Sequence, residues 1–329
     1  MHGIDLEPYI RFEAAHVSST LRRLLPQEQI VDNLRADLDH ELTLRTSAAR
    51  AAQYRTQCPI DGTTHRDYML REFDLGSDGR VLAGIHFAGM DPRRPFVGVL
   101  ARTEPLADVD AVRRVGRHLC DAFASFEPQW FRLWDHAADR GLSSIAGVCV
   151  DMLLVAGRLV ELRALPVPET SASLALRPCR ATDIYPAYCA IFERFFAAQP
   201  SWRGRIHVES EEALRQAETD GALRRAFVGG EPAGFFAVVP ARERALRGYV
   251  MLEEILDTPF RGCGLAPALQ RMLLDHIDAD RDALLFGHID GANLPSLHTA
   301  RRVGRKEVCR TVFVPFGESS PQSPRGAFW

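Results

Sequence analysis

Apolar residues near the start of the chain follow a helical spacing. Ile30, Leu34, Leu38 and Leu42 recur every four residues and would form one stripe along a helix. Pro26 precedes the stripe, and proline is tolerated where a helix begins. The pattern predicts two helices in the first 55 residues, with Pro26 between them, and the stripe indicates packing and not chemistry.

From residue 68 onward, shorter apolar runs alternate with Gly, Asp and Pro, which is typical of strands joined by turns. Three predicted strands are close enough in sequence to form an antiparallel meander. They cover 68–73, 81–87 and 95–100, and they are followed by a helix over 108–126, a strand over 130–134 and a hairpin over 151–165 that turns at Gly157-Arg158. We therefore predict an α+β domain over residues 1–165.

The second half of the chain begins after a segment rich in Pro, Ser and Thr, residues 166–173, which we predict to be a linker. The domain over 174–316 is predicted to contain a strand, two helices, three antiparallel strands, and then a helix, a strand, a helix and a strand. These elements are expected at 174–177, 182–198, 211–219, 222–228, 232–239, 248–256, 265–277, 283–286, 293–303 and 308–315. The Ser- and Pro-rich tail, 317–329, is predicted to be disordered. The predicted fold class is thus mixed α+β, with a mostly antiparallel sheet and flanking helices.

Composition narrows the classes of function. Hydrophobic residues make up 46% and charged residues 25%, and no run of about 18 apolar residues occurs, so we expect a soluble protein without a membrane partner. The N-terminus does not resemble a signal peptide. Seven scattered cysteines without a C-x-x-C pair indicate free thiols in the cytoplasm and no metal site. A net charge of -3, without a basic and aromatic cluster, argues against a nucleic-acid partner.

One segment combines a strand end, a glycine loop and a helix start. It covers residues 256–266 and contains Arg261-Gly262-Cys263-Gly264-Leu265-Ala266. Such a loop directs backbone N–H groups and the positive end of a helix dipole toward one point, which suits a pyrophosphate. Gly262 and Gly264 can approach the anion because they have no Cβ. The motif R-x-x-G-x-[G/A] is weak by itself and gains value from its strand–loop–helix setting.

A second motif follows at the expected distance. Asn293-Leu294-Pro295-Ser296 opens a predicted helix that ends at Val303-Gly304. With both motifs and this order of elements, residues 174–316 resemble the GNAT superfamily of N-acetyltransferases. The resemblance implies that acetyl-CoA, or a related acyl-CoA, binds as cosubstrate in a V-shaped cleft. The strand ending at Leu256 and the strand ending at Phe286 would form the two sides of the cleft.

The resemblance also implies roles for individual residues. The pyrophosphate would be held, mostly through main-chain amides, by Arg261, Gly262, Cys263, Gly264, Leu265 and Ala266. Main-chain groups of Ile255 and Leu256 would face the pantetheine arm and the acyl carbonyl. Asn293 would contact the same arm, and Ser296 belongs to the same motif.

Direct transfer requires a base that accepts the proton of the attacking amine. Glu253 and Glu254 lie on the strand beside the predicted cleft, and because adjacent side chains point to opposite faces, only one of them can face the acceptor. We favour Glu253, with Glu254 as the alternative, although either could be an ordinary solvated carboxylate. His288 could relay a proton or could be an ordinary loop histidine.

Two positions depart from the GNAT pattern. The family often has a tyrosine seven residues after the asparagine, where it can protonate the leaving thiolate, and this chain has Ala300 there. His298 should face elsewhere, since two residues correspond to about 200° of rotation on a helix. The usual Gly-Phe after the helix is Gly304-Arg305.

The leading hypothesis is an N-acetyltransferase that transfers an acetyl group from acetyl-CoA to an amine of a small molecule or peptide within a ternary complex. The missing tyrosine keeps a non-catalytic acyl-CoA-binding module open, and a transferase using a longer acyl-CoA is a further alternative. The N-terminal half has a similar rhythm of elements, and residues 113–118 nearly match the loop motif. One interpretation of this half is a degenerate GNAT-like copy, as in tandem GNAT enzymes, and the other is a coincidental match in an arginine-rich α+β domain.

Overall fold

The computed structural model describes residues 4–136, 139, 142, 145–170, 173–203, 205–278, 280 and 282–316. The predicted tail over 317–329 lies outside these residues, as do residues 171–172 of the predicted linker. The chain forms two compact units. Unit 1 contains the chain up to Leu153 together with Val308 and the residues after it, and unit 2 is Leu154–Glu307.

Unit 1 begins with four helices where the apolar pattern predicts two. They are α1 (Glu7–His16), α2 (Ser19–Leu24), α3 (Gln27–Arg45) and α4 (Ala48–Gln57). The predicted stripe lies on α3, which Pro26 precedes, and three of its four residues are buried. The additional breaks have local causes, because the Ser18 and Ser47 side chains accept hydrogen bonds from the N–H groups of Leu21 and Arg50 and so cap α2 and α4. Periodicity alone does not reveal these caps.

The sheet of unit 1 has the predicted meander at its start. Its elements are β1 (Arg71–Asp74), β2 (Arg80–Phe87), β3 (Pro95–Arg102), α5 (Val109–Ala122), β4 (Trp130–Asp135) and the first residues of β5 (Cys149–Arg158). Strands β1, β2 and β3 pair antiparallel, whereas β3 and β4 pair in parallel across α5. The near-match to the loop motif at residues 113–118 lies inside α5 and is therefore not a loop, and Gly116 there packs beside Phe131.

The predicted hairpin over 151–165 is wrong. Strand β5 continues through Gly157 to Arg158, and α6 (Leu159–Ala164) follows. Leu159 and Leu162 are three residues apart and buried on one face, which is a helical spacing. A Cβ on Gly157 would lie 2.8 Å from a Leu162 methyl carbon, so this glycine allows close packing and does not form a turn.

Unit 2 follows the predicted order of elements. They are β6 (Leu174–Pro178), α7 (Ala181–Ala198), α8 (Glu211–Asp220), β7 (Ala222–Val228), β8 (Glu231–Glu243), β9 (Leu246–Leu256), α9 (Leu265–Leu274), β10 (Leu284–Asp290) and α10 (Leu294–Arg302). Strands β6 to β9 pair antiparallel in chain order, and β10 is parallel to β9. One buried cluster includes residues of α7 and α8, and another includes residues of α9. The predicted α+β class with a mostly antiparallel sheet is confirmed.

The last strand of each half of the chain belongs in part to the other compact unit. Strand β11 (Lys306–Pro315) was predicted to complete the second domain, but from Val308 onward it belongs to unit 1, where it pairs antiparallel with β4. The end of β5, from Leu154, instead belongs to unit 2 and neighbours β10. The compact units therefore differ from the predicted divisions at 165 and 174, because an alternating pattern identifies a strand without identifying its partner.

Candidate functional site

Strands β9 and β10 separate from each other part-way along their length. Their parallel pairing covers only Gly248–Val250 with Leu284–Phe286, and no further pair between them occurs in the described part of the chain. The approach at the start of the pair is close, since a Cβ on Gly248 would lie 2.1 Å from the Leu284 carbonyl oxygen. Beyond Val250 no ladder pair joins β9 to β10 among the described residues, and a V-shaped cleft at this point stays a prediction.

A β-bulge lies at the point where the strands separate. On β9, Met251 pairs with Val238 and Glu253 pairs with Ala237, so Leu252 is an extra residue in the ladder. A bulge increases the local twist and redirects the strand. The end of β9, with its two glutamates, therefore leaves the direction of β10.

The glycine loop connects the end of β9 to α9. Gly262 and Gly264 have left-handed φ angles of 75° and 71°, which favour glycine, and Gly264 is the residue that precedes the first turn of α9. Among the described residues, none accepts a hydrogen bond from the backbone N–H groups of residues 262–266. These N–H groups lie at the positive end of the α9 dipole, so together they could hold an anion.

The side chain of Arg261 fixes the loop to the strand. Its Nε donates to the Leu256 carbonyl oxygen at 2.6 Å, and its guanidinium carbon lies 4.5 Å from the centre of the Phe195 ring. The Leu256 carbonyl is therefore already engaged. Ile255 and Leu256 are buried at the strand end, and their contacts with a pantetheine arm stay a prediction.

The other predicted loop residues lie together at the start of α9. Cys263 is exposed, and its Sγ lies 3.5 Å from the Arg261 carbonyl oxygen. Leu265 is buried in the core, whereas Ala266 is only partly buried. The loop thus combines an exposed turn with an apolar anchor.

Arg302, at the end of α10, was not identified from the sequence. Its Nη1 lies 3.9 Å from the position that a Cβ on Gly264 would occupy, and the residue is exposed. Arginine is abundant in this chain, and Arg302 is 38 residues from Gly264, so the sequence carries no signal for this approach. A guanidinium beside the N–H groups strengthens the preference of the loop for an anion.

The second predicted motif has a structural role in α10. The Asn293 side-chain oxygen accepts the Ser296 N–H at 3.2 Å, which caps the helix. Gly304 has a φ of 97°, and a Cβ there would lie 2.6 Å from a Leu165 methyl carbon. The motif therefore shapes the end of β10 and both ends of α10, while contact of Asn293 with the cosubstrate stays a prediction.

Glu253 points to the face of the sheet covered by α7. It is 9% exposed, and its Oε2 accepts the Tyr188 hydroxyl at 2.5 Å, while Oε1 accepts the Glu254 N–H at 2.8 Å. Burial raises the pKa of Glu253 to about 7, and the hydrogen bond from Tyr188 opposes this rise. A carboxyl group with a pKa near neutrality is suited to proton transfer.

Glu254 points to the opposite face, as the alternation of a strand requires. Its side chain accepts a hydrogen bond from the Gln270 amide, and Gln270 accepts one from Arg305 at 3.0 Å. Burial raises the pKa of Glu254 to about 7 and lowers that of Arg305 to about 10. Arg305, where the GNAT pattern usually has Phe, is thus part of a buried polar chain.

His288 lies beside a carboxylate of β8. Its Nε2 lies 2.8 Å from Glu243 Oε1 on β8. The described contacts do not bring His288 together with Glu253 or Glu254. Ala300 is fully buried, so the absent tyrosine is replaced by core packing.

Comparison with known proteins gives structural likeness and no sequence match. No protein-family model and no curated protein matches the chain. The chain resembles GNAT acetyltransferases among solved structures. A GCN5-related N-acetyltransferase from Kribbella flavida is 15% identical, with a TM-score of 0.44 over 82% of this chain and 94% of that one.

Two further structures are similar. A GNAT-family acetyltransferase from Colwellia psychrerythraea is 13% identical, with a TM-score of 0.45 over 73% of this chain and 81% of that one. A tandem GNAT protein from the clavulanic acid biosynthesis pathway is 12% identical, with a TM-score of 0.41 over 73% and 79%. None of these similarities identifies an acceptor for this chain.

Proposed function

We propose that this protein is an acyl-CoA-dependent N-acyltransferase that transfers an acetyl group from acetyl-CoA to an amine of a small molecule or peptide. The observation that carries the proposal is the glycine loop, whose N–H groups have no acceptor among the described residues. The loop directly follows a strand that separates from its parallel neighbour. The loop would hold the pyrophosphate, with Arg302 beside it. The opening between β9 and β10 would receive the pantetheine arm.

The acceptor would bind on the α7 face, where Glu253 lies. Bound acetyl-CoA would supply a thioester whose carbonyl carbon receives the acceptor nitrogen. A carbon–nitrogen bond forms, the carbon–sulfur bond breaks, and the sulfur leaves as a thiolate. Glu253 accepts the proton that the nitrogen loses. The Glu254 side chain lies on the α9 face instead, where it accepts a hydrogen bond from Gln270, which in turn accepts one from Arg305.

The base assignment makes a prediction about pH. Because a base must be deprotonated, kcat/KM should rise with pH through about 7, the value to which burial raises the pKa of Glu253. Glu253→Gln should abolish this rise of kcat/KM with pH and lower kcat by at least ~100-fold, while leaving the affinity for acetyl-CoA unchanged. Release of CoA thiol with a panel of amines measures the rate, and calorimetry measures the affinity.

Glu254→Gln provides the comparison on the opposite face. Loss of turnover in Glu254→Gln alone would transfer the role to Glu254. Full activity in both variants would contradict a carboxylate base on β9.

Two alternatives remain distinct from this proposal. Ala300, buried where a proton donor to the thiolate is often found, favours a non-catalytic acyl-CoA-binding module. That module would bind CoA and transfer nothing to any amine in the panel. A transferase for longer acyl groups would show affinity that increases along a series of acyl-CoA chain lengths.

A further inference from the structure

Tyr188 connects Glu253 to the segment that precedes α8. The tyrosine lies on α7 and is fully buried. Its hydroxyl donates to Glu253 Oε2 at 2.5 Å and accepts the backbone N–H of Glu209 at 2.9 Å. The three groups form a chain of hydrogen bonds from a backbone amide to the proposed base.

The direction of these hydrogen bonds follows from which groups can donate. A backbone N–H can only donate, so it occupies a lone pair of the Tyr188 oxygen. The hydroxyl hydrogen is then directed to the carboxylate. In the same segment, Arg205 pairs with Asp290 of β10 at 2.8 Å. The Tyr188 hydroxyl therefore acts as a fixed donor to Glu253.

The groups that face Glu253 have opposing effects on it. Burial and the neighbouring carboxylates of Glu209 and Glu254 disfavour its charged form. The Tyr188 hydroxyl and the Glu254 N–H favour the charged form. His207, which is exposed, lies 3.8 Å from Glu209. The Tyr188 hydroxyl is thus one of two hydrogen-bond donors that keep the carboxylate available as a base.

We infer that Tyr188 is a positioning residue that holds the Glu253 carboxylate in its orientation and stabilises its charged form through a hydrogen bond. This role rests on the proposed function insofar as Glu253 is the base. It assigns Tyr188 no contact with the acceptor or with acyl-CoA. Its hydroxyl is unsuited to be a base itself, since burial and Glu253 both raise the pKa of Tyr188 above its ordinary value.

The test is the titration of Glu253 in Tyr188→Phe. With ¹³C-labelled glutamate, and the resonance of Glu253 assigned through Glu253→Gln, NMR should show the pKa of Glu253 about one to two units higher than in the wild type. Tyr185→Phe is the matched control, because it removes a hydroxyl one turn earlier on the same helix, and Glu253 should titrate as in the wild type. An unchanged pKa of Glu253 in folded Tyr188→Phe would overturn the inference.

A second substitution tests the opposite direction. Replacing Tyr188 with 3-fluorotyrosine makes the phenol a stronger donor and preserves its shape, so the pKa of Glu253 should fall. The protein with 3-fluorotyrosine also tests the role of the hydroxyl if Tyr188→Phe does not fold. A pKa of Glu253 that does not fall would contradict the role of the hydroxyl.

Activity separates this inference from the proposed function. If the proposed function and the role of Tyr188 both hold, the rise of kcat/KM near pH 7 shifts to higher pH in Tyr188→Phe. The rate lost near pH 7 is then recovered at higher pH. If the NMR shift occurs while transfer is absent or independent of Glu253, the proposed function fails and the effect of Tyr188 on Glu253 stands.

Discussion

Each unit contains a parallel strand pair joined by a helix, and the two pairs end differently. In unit 2, β9 and β10 separate beyond Val250, and the loop before α9 leaves its N–H groups without protein acceptors among the described residues. In unit 1, the ladder pairs between β3 and β4 in the described part of the chain are at Val97 and Gly98, and α5 follows β3 in the same way. The strand geometry is thus shared, while the environment of the helix start is not.

Carboxylates occupy the equivalent region of unit 1. The Asp108 side chain accepts the Ala111 N–H and caps α5, and Asp139 accepts the Leu106 N–H at 2.9 Å. Asp139 also forms a buried ion pair with Arg102, whose side chain is 4% exposed. An anion could not compete for donors that acidic side chains already hold. At the start of α5 two acidic side chains accept backbone N–H groups, whereas at the start of α9 no described side chain does.

The largest expected effect concerns the ion pair of unit 1. Asp139→Asn leaves the buried Arg102 guanidinium without its counter-charge, which should destabilise the unit by about 3–5 kcal/mol. Urea denaturation measures the loss. Asp91→Asn is the control, because Asp91 pairs with Arg93, whose side chain is 86% exposed, and should cost much less. Equal losses of stability in the two variants would contradict the expected cost of breaking the buried ion pair between Asp139 and Arg102.

A smaller effect is expected when the start of α9 is made to resemble that of α5. Gly264→Asp places a carboxylate where the pyrophosphate would bind, so affinity for acetyl-CoA should fall at least ~100-fold. It also strains a left-handed backbone by about 1–2 kcal/mol. Gly229→Asp is the matched control, since Gly229 has a similar φ of 58° in the turn between β7 and β8, and it should bind normally. Equal losses in both variants would indicate strain and not charge.

The smallest expected effect tests the cation beside the loop. Arg302→Gln should weaken acetyl-CoA binding about 10-fold through loss of one charge-assisted contact. The difference from wild type should shrink at high salt, because the side chain is exposed. Arg301→Gln removes the same charge from the neighbouring position of α10 and should have little effect. The same loss in Arg301→Gln would mean that only overall charge matters.

The sequence was informative where local chemistry determines structure. The two glycines, the apolar helix after them and the alternation of Glu253 and Glu254 predicted the loop of unit 2 and the opposite orientation of the glutamates. Contacts between distant residues had no such signal. Arg102 and Asp139 are 37 residues apart, and Tyr188 and Glu253 are 65 apart, and no spacing rule connects them.

The partners of β5 and β11 could not be predicted either, because they too depend on contacts between distant residues. The pattern identified β5 and β11 as strands, but pairing between distant strands depends on which edge completes each sheet. That information lies in tertiary packing.

For the part of the chain that the structure describes, no helix is long and apolar enough to cross a membrane.

The number of acetyl-CoA molecules bound per chain tests the central claim most directly. Isothermal titration of the full chain should give one site, because the N–H groups of the loop before α9 have no acceptor among the described residues, whereas Asp108 and Asp139 place carboxylates at the corresponding region of unit 1. A result of two sites, or of no binding at all, would contradict the difference between the units on which the proposed function rests.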